Sequence, residues 1–384
     1  MKPQKNFNRA MIKATCLAGM GRLVDATKLI QRSMTNLSQS MLHGAKVVPS
    51  TDAANQSQAK AESDSSAKLT AKSTTEPVAK PLIKSTSSAS GNFVEDQFEF
   101  EGQLYPYRLF VPASAKVVPQ QKFPLVVLLH GCKQDALDFS QGTAMNQLAS
   151  EQHCLVLYPE QITAANSGRC WNWFEPEHQL RGQGEPGMIA ALTLHVLASH
   201  GGKKAQIPEP DPARVYIAGL SAGGAMATLV AGLYPDIYAA LGVHSGLPAG
   251  SASSLLTALN AMQIASPQTL AEVSAIPTIV FHGSADATVH PDNSEHIARA
   301  AQAAFAQAGI ILTACESQGG TDARAALRTV YSDAKGVAQI ERWSIAEGDH
   351  AWSGGDAAGS YTDPQGPSAS AAMLAFFLQH RLKS

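Results

Sequence analysis

The pentapeptide Gly219-Leu220-Ser221-Ala222-Gly223 sets a serine between two glycines, behind the apolar run Val215-Tyr216-Ile217-Ala218 and ahead of a helix-compatible stretch from Ala225 to Tyr234. The pattern predicts a strand, a sharp turn and a helix. In such an elbow the glycines are required because side chains beside the serine would clash, while the serine itself sits in a strained backbone conformation. The strain holds its hydroxyl clear of the sheet and next to a helix N-terminus, where an oxyanion can be stabilised. With thirty glycines in the chain, the pentapeptide alone could arise by chance; the strand before it and the helix after it give it weight.

A serine hydroxyl is a weak nucleophile at neutral pH, so the elbow demands a base and a residue that orients the base. After an elbow serine, acid and then histidine follow along the chain. Pro277-Thr278-Ile279-Val280-Phe281-His282-Gly283 is a short apolar run ending in glycine, as a buried parallel strand would be. Asp286 follows in the loop, where the C-terminal end of a strand delivers functional groups. Asp292 is the competing acid, but it follows Pro291 in the first turn of a predicted helix running to Ala308, where a carboxylate favours the helix dipole. Ile340 to Ile345 forms a further strand, with Gly348-Asp349-His350-Ala351-Trp352 behind it. Of twelve histidines, His350 stands between the last predicted strand and the C-terminal helix. His282 closes a strand and reads as structural, and His178, His195 and His290 lack the required place in the order. Two backbone N–H donors are needed for an oxyanion. Leu125 to Leu129 is a continuous apolar strand running into His130-Gly131-Cys132, which assigns Cys132 and Ala222 as those donors.

The alternation of apolar strands with helical segments from Pro124 onward predicts an α/β fold, a mostly parallel sheet with helices on both faces. A chain of 384 residues with 45% apolar content is long enough for one large core plus an appendage. Its net charge of −2 is too near neutral to suggest a nucleic-acid partner, and no run of about eighteen apolar residues suggests a membrane span.

Residues 1–45 read as an amphipathic helical segment: Leu23, Ala26, Ile30 and Met34 recur at helical spacing with Arg22, Lys28 and Arg32 between them, and the helix over Asn8 to Met34 bends near Gly19 and Gly21. Its expected role is packing on the domain or on a partner, with contact to a membrane or polyester-granule surface through residues 1–40 as the alternative. It makes no clear secretory signal, because Lys13 interrupts the apolar stretch. Residues 46–92, rich in Ser, Thr, Ala and Lys, cannot bury enough apolar surface to offset ordering and read as a flexible linker. A third unit, residues 93–384, opens with an alternating hairpin from Phe93 to Pro112.

The segments Leu129-His130-Gly131-Cys132, Arg169-Cys170-Trp171-Asn172-Trp173-Phe174, Gly182-x-Gly184-Glu185, Gly219-Leu220-Ser221-Ala222-Gly223-Gly224 and Gly348-Asp349-His350-Ala351-Trp352-Ser353-Gly354-Gly355 together resemble the polyhydroxybutyrate depolymerase-type esterases from about Phe93 to the C-terminus. The resemblance implies an α/β-hydrolase fold and serine carboxylic-ester hydrolysis through an acyl-enzyme on short-chain or hydroxyalkanoate-type esters. Carbohydrate esterases of acetylxylan or feruloyl type are the alternative substrate class, and a non-catalytic granule-associated protein is the other. The resemblance also suggests an extracellular setting and polyester degradation; without a clear signal, the cytoplasm is the alternative. No polymer-binding module is recognisable after His380, which favours a soluble short ester or oligomer.

Five cysteines leave at least one unpaired. Cys132 and Cys170 lie in the family-like motifs on loops expected to flank the site; either they form a disulfide, or Cys132 is a small residue chosen for space. Cys154 reads as a buried small hydrophobe. No metal-ligand spacing and no cofactor is implied. Trp171, Trp173 and Phe174, with Trp352 beside the base, are candidates for a substrate pocket wall, the alternative being that they are simply core, and Asn172 and Glu185 either orient substrate or knit the loop together.

Overall fold

The protein is described here by a computed structural model covering residues 91–116, 121–199, 207–265 and 274–382. The expected N-terminal helix and most of the expected linker lie outside the described residues. The chain enters as an antiparallel hairpin, β1 (Gly91–Phe100) and β2 (Gln103–Pro112), turning at Glu101 and Gly102, both of positive φ. There follow β3 (Phe123–Leu129), β4 (Leu155–Pro159), β5 (Pro210–Leu220), β6 (Ala240–His244) and β7 (Thr278–Gly283), then β8 (Thr313–Gly320), β9 (Ala325–Ser332) and β10 (Ala338–Ile345). One ten-stranded sheet results, in the order β1-β2-β4-β3-β5-β6-β7-β10-β9-β8. The central strands β4, β3, β5, β6, β7 and β10 run parallel to one another. Antiparallel pairs β1–β2 and β9–β8 extend the two edges.

Period-two alternation between two cores explains the apolar runs of β3, of β4 and of the end of β5. On β3, Leu125, Val127 and Leu129 point into one core with Val215 and Ile217 of β5, packed by the helices Gly184–Ala198, Ala222–Leu233 and Leu255–Gln263. Val126 and Leu128 point into the other, with Tyr216 and Ala218, under the helices Ala136–Thr143, Met145–Gln152 and Ala369–Phe377. Every residue of β3 is buried, because helices cover both faces. Parallel strands that share two cores also share one carboxyl edge, and the loops after β3, β5, β6, β7 and β10 leave from it together.

No described helix is long and apolar enough to cross a membrane. Cys154 is buried beside β4, and burial pushes its thiol up to about 12.

Candidate active site

Ser221 sits at φ 58°, ψ −120°, an unfavourable conformation for a residue with a side chain, between the end of β5 and the helix Ala222–Leu233. Packing imposes it. A Cβ on Gly219 would lie 2.4 Å from the carbonyl of Gly223, and one on Gly223 would lie 2.2 Å from Leu129 O and 2.5 Å from His130 O. The helix start is therefore wedged against the end of β3. The Ser221 N–H donates to His244 O at 2.9 Å, which ties the elbow to the end of β6.

Asp286 lies in the turn after β7 with its side chain fully buried, and its Oδ2 is 2.7 Å from His350 Nδ1. Its Oδ1 accepts from the N–H groups of Thr288 and Val289, each at 2.9 Å. Burial pushes this carboxyl up; the hydrogen bonds from His282 and His350, the charge of His350 and the Val289 N–H outweigh burial and hold it well below the usual carboxylate range. The loop carrying His350 is threaded against β7: Ser284 N–H donates to Ile345 O and Ala285 N–H to Gly348 O, and a Cβ on Gly283 would lie 2.2 Å from Gly348 O. Asp292 opens the helix Asp292–Gln307, its side chain 69% exposed and 3.7 Å from His290. Asp286 is thus the carboxylate that meets the imidazole.

On the other side of Ser221, Cys132 and Cys170 form a disulfide, with Cα atoms 4.2 Å apart. The N–H groups of Gly131, Lys133 and Gln134 are taken by Gln134 Oε1, Gly168 O and Gly131 O. Among the described residues no hydrogen bond takes that of Cys132. Ala222 N–H, at the first turn of its helix, has no intrahelical acceptor. His130 Nε2 accepts from Gln161 N–H at 3.1 Å, so Nδ1 carries the proton and donates to Gly131 O at 2.8 Å. Burial brings the His130 imidazole down to about 4.

The aromatic candidates need correction. Trp171 is fully buried and donates Nε1–H to His130 O at 3.1 Å; Trp352 is 1% exposed, donates to Ser370 Oγ at 3.0 Å and stacks on His244 with ring centres 5.1 Å apart. Neither offers surface to a substrate. They are struts, one under the loop after β3 and one under the loop after β10. Trp173 keeps 7% exposure beside Phe174. Asn172 knits its loop, giving its N–H to Glu185 Oε2 at 2.7 Å and its Nδ2 to Glu185 Oε1 at 2.6 Å. Glu185 is buried and also receives Gln161 Nε2 at 2.5 Å; burial raises its carboxyl, against the charge of His178 and these donors.

Three residues at the site escaped the sequence reading. His244 ends β6, fully buried, and its Nε2 accepts from Ser353 N–H at 3.0 Å. Burial first, then the charges of His282 and His350, hold it well below the usual histidine value. A histidine closing the apolar run Ala240–His244 was the available signal. Gln134 and Gln161 gave none. Among the described residues no group of three or more His, Cys, Asp or Glu is arranged to hold a metal.

A mostly parallel sheet with helices on both faces and a strained serine elbow on its carboxyl edge defines an α/β-hydrolase. A solved acetyl xylan esterase from Aspergillus awamori shares the fold, with a TM-score of 0.56 at 18% identity, over 75% of this chain and 98% of that one. The Esterase PHB depolymerase family matches residues 105–329, and the chain belongs to that family. Poly(3-hydroxyalkanoate) depolymerase C of Paucimonas lemoignei is 33% identical over 56% of this chain and 52% of its own length. Poly(3-hydroxybutyrate) depolymerase of Ralstonia pickettii is 27% identical over 66% and 53%. Feruloyl esterase B of Thermothelomyces thermophilus is 31% identical over 39% and 46%. The chain spans about half the length of these curated relatives.

Proposed function

We propose that the protein is a serine carboxylic-ester hydrolase. The observation that carries this reading is the 2.7 Å contact between buried Asp286 and His350, on the sheet edge that also carries the strained Ser221. Ser221 Oγ attacks the ester carbonyl carbon while His350 Nε2 takes its proton, and the oxyanion is held by the N–H groups of Cys132 and Ala222. Asp286 orients the ring and stabilises its cation. The carbonyl re-forms, the C–O bond to the leaving group breaks, and His350 returns the proton to the departing alcohol. Water, deprotonated by the same ring, then releases the acid from the acyl-enzyme. No cofactor enters.

Short-chain or hydroxyalkanoate-type esters are the substrate class we favour, in line with the two depolymerase relatives. Acetylxylan or feruloyl-type esters are the second reading, which rests on relatives so named. The disulfide fits an oxidising, extracellular compartment. We assign residues 93–384 as the catalytic unit, residues 46–92 as a linker and residues 1–45 as an accessory helical segment that packs on the domain or on a partner, with surface or granule contact through residues 1–40 as the alternative. A chain beginning near Ser90 is expected to keep its kcat on a soluble ester.

Labelling with a fluorophosphonate, followed by turnover of short p-nitrophenyl esters against peptide amides, tests the reading. Label on wild type but not on Ser221→Ala, with ester turnover and no amide turnover, is the expected result. An unlabelled, inactive wild type would overturn it and leave the granule-associated alternative, while amide turnover would point to a peptidase.

A further inference from the structure

Asp286 is held by more donors than His350 alone. His282, the penultimate residue of β7, stands one helical-turn spacing ahead of it in sequence, and its ring is 1% exposed. Its Nε2 lies 2.9 Å from Val289 O and 3.3 Å from Asp286 Oδ2. Both of these atoms are acceptors, so Nε2 carries the proton. The other ring nitrogen, Nδ1, is buried with no hydrogen-bond partner among the described residues. Val289 closes the arrangement: its N–H donates to Asp286 Oδ1, and its carbonyl accepts from the ring that also faces Oδ2.

The carboxylate plane is thereby fixed from three sides, with Oδ1 taken by two backbone N–H groups and Oδ2 shared between two imidazoles. We infer that His282 is a positioning residue for the Asp286–His350 pair: its Nε2–H orients Oδ2 toward His350 and draws off part of the carboxylate's charge. This role rests on the triad reading proposed above and adds a residue to it. Two consequences separate it from a merely structural tie between β7 and the turn. Removing the donor frees the carboxylate to tilt, which lowers kcat without touching substrate binding. It also leaves more negative charge facing His350, so the imidazolium is better stabilised and the acidic limb of the kcat/KM profile moves to higher pH.

The test is the pH profile of p-nitrophenyl acetate hydrolysis by the full chain, with His282→Gln and His282→Asn. A glutamine amide can set an N–H where Nε2 stood, whereas an asparagine amide stops short of it. His282→Asn is expected to lose about 10- to 100-fold in kcat with KM held within about two-fold, and its acidic limb to rise by roughly half a pH unit or more. His282→Gln is expected to recover most of the rate and the wild-type limb. An Asn variant with the wild-type kcat and limb, or a Gln variant as impaired as Asn, overturns the role. Should the Asn variant not fold, Gln decides alone: a limb matching wild type supports the assignment and a displaced one overturns it. If wild type hydrolyses no ester, the triad reading falls first and this role with it; if wild type turns over and only the variants fail to differ from it, the role of His282 alone falls.

Discussion

The loop after β3 and the loop after β10 flank Ser221 and are held by different means. The first is clamped by the Cys132–Cys170 disulfide, by Trp171 Nε1–H on His130 O, by Gln161 N–H on His130 Nε2 and by Lys133 N–H on Gly168 O. The second has no covalent tie; it is held by Ala285 N–H on Gly348 O, Ser353 N–H on His244 Nε2 and Trp352 N–H on Tyr361 O, and by Ser360 against Asp138. On the proposed mechanism, the difference follows from what each loop must present. A backbone N–H has no rotamer with which to correct its aim, so an oxyanion donor is only as precise as its loop. A histidine on a softer loop is aimed by its partner carboxylate, here one fixed by its own donors.

That division can be broken most severely at the side chains. Ser221→Ala and His350→Ala are each expected to lower kcat by roughly 10⁴- to 10⁶-fold, because such residues act as a unit. Asp286→Asn is expected to cost on the order of 10⁴, since the amide supports the wrong imidazole tautomer. Steady-state kinetics on a p-nitrophenyl ester, with Asp292→Asn as the control expected to stay near wild type, would expose a wrong acid if the two aspartate variants exchanged behaviour.

The loop positions of Ser221, Asp286 and His350 were legible because their order along the chain maps onto loops at one edge of a parallel sheet; Ser221 and Asp286 each follow an apolar run whose length marks a strand, and His350 follows the mixed segment Ile340 to Ile345. The strand Ala240–His244 was not, since Ala-Leu-Gly-Val-His is short and carries two small residues, too few apolar side chains to mark a strand. Its place between β5 and β7 is nevertheless what sets His244 beside both the elbow and the base loop. Strand β8 is exposed over its whole length, so it has no apolar alternation to read and is defined by pairing with β9. The tryptophans mark the deeper limit. Residue type tells how much surface Trp171 and Trp352 can cover, but which way they face is decided by long-range partners, His130 O and Ser370 Oγ, that no local pattern names.

Acid should loosen the clamped loop. The His130 imidazole is neutral in the fold, brought down by burial from the ordinary value near 6.5 to about 4. The unfolded chain therefore binds the extra proton first, and stability that is complete above pH 6.5 is lost as the pH falls toward 4. For a displacement of that size the loss is on the order of 3 kcal/mol. His380, brought to about 4 chiefly by burial, and His244, also lowered by burial, act in the same direction. Melting temperatures from pH 7 to 4 should fall steeply, and His130→Gln should flatten the slope; an unchanged slope in that variant would assign the loss elsewhere.

The disulfide closes a loop with a sequence separation of 38. Reduction, or Cys170→Ser, is expected to cost about 2 to 4 kcal/mol and to lower kcat as well, because the freed loop carries the Cys132 donor. Cys154→Ser and Cys315→Ser should leave kcat alone. Calorimetry with and without reductant, alongside thiol counting on the unfolded, unreduced protein, checks both halves. Five free thiols would show that the clamp does not form in solution, and the contrast between the two loops would disappear.

The smallest expected effect lies where the two loops touch. Ser360 sits in the loop after β10; its N–H donates to Asp138 Oδ1 at 2.8 Å and its hydroxyl to Asp138 Oδ2 at 2.5 Å, while Gln134 Nε2, from the loop after β3, reaches Ser360 O at 3.0 Å. Ser360→Ala deletes only the hydroxyl bonds and leaves the backbone contacts of the same residue in place. The hydroxyl bond to Asp138 is exposed, so water replaces part of what is lost, and the cost should be about 0.5 to 1.5 kcal/mol. Because Asp286 continues to aim the His350 ring, kcat should stay within about two-fold of wild type. Chemical denaturation and steady-state kinetics on this variant set against Cys170→Ser give the sharper form of the comparison. A loss of kcat in Ser360→Ala as large as that in Cys170→Ser would mean that the base loop needs the same rigidity as the donor loop, and that Asp286 does not aim the imidazole by itself.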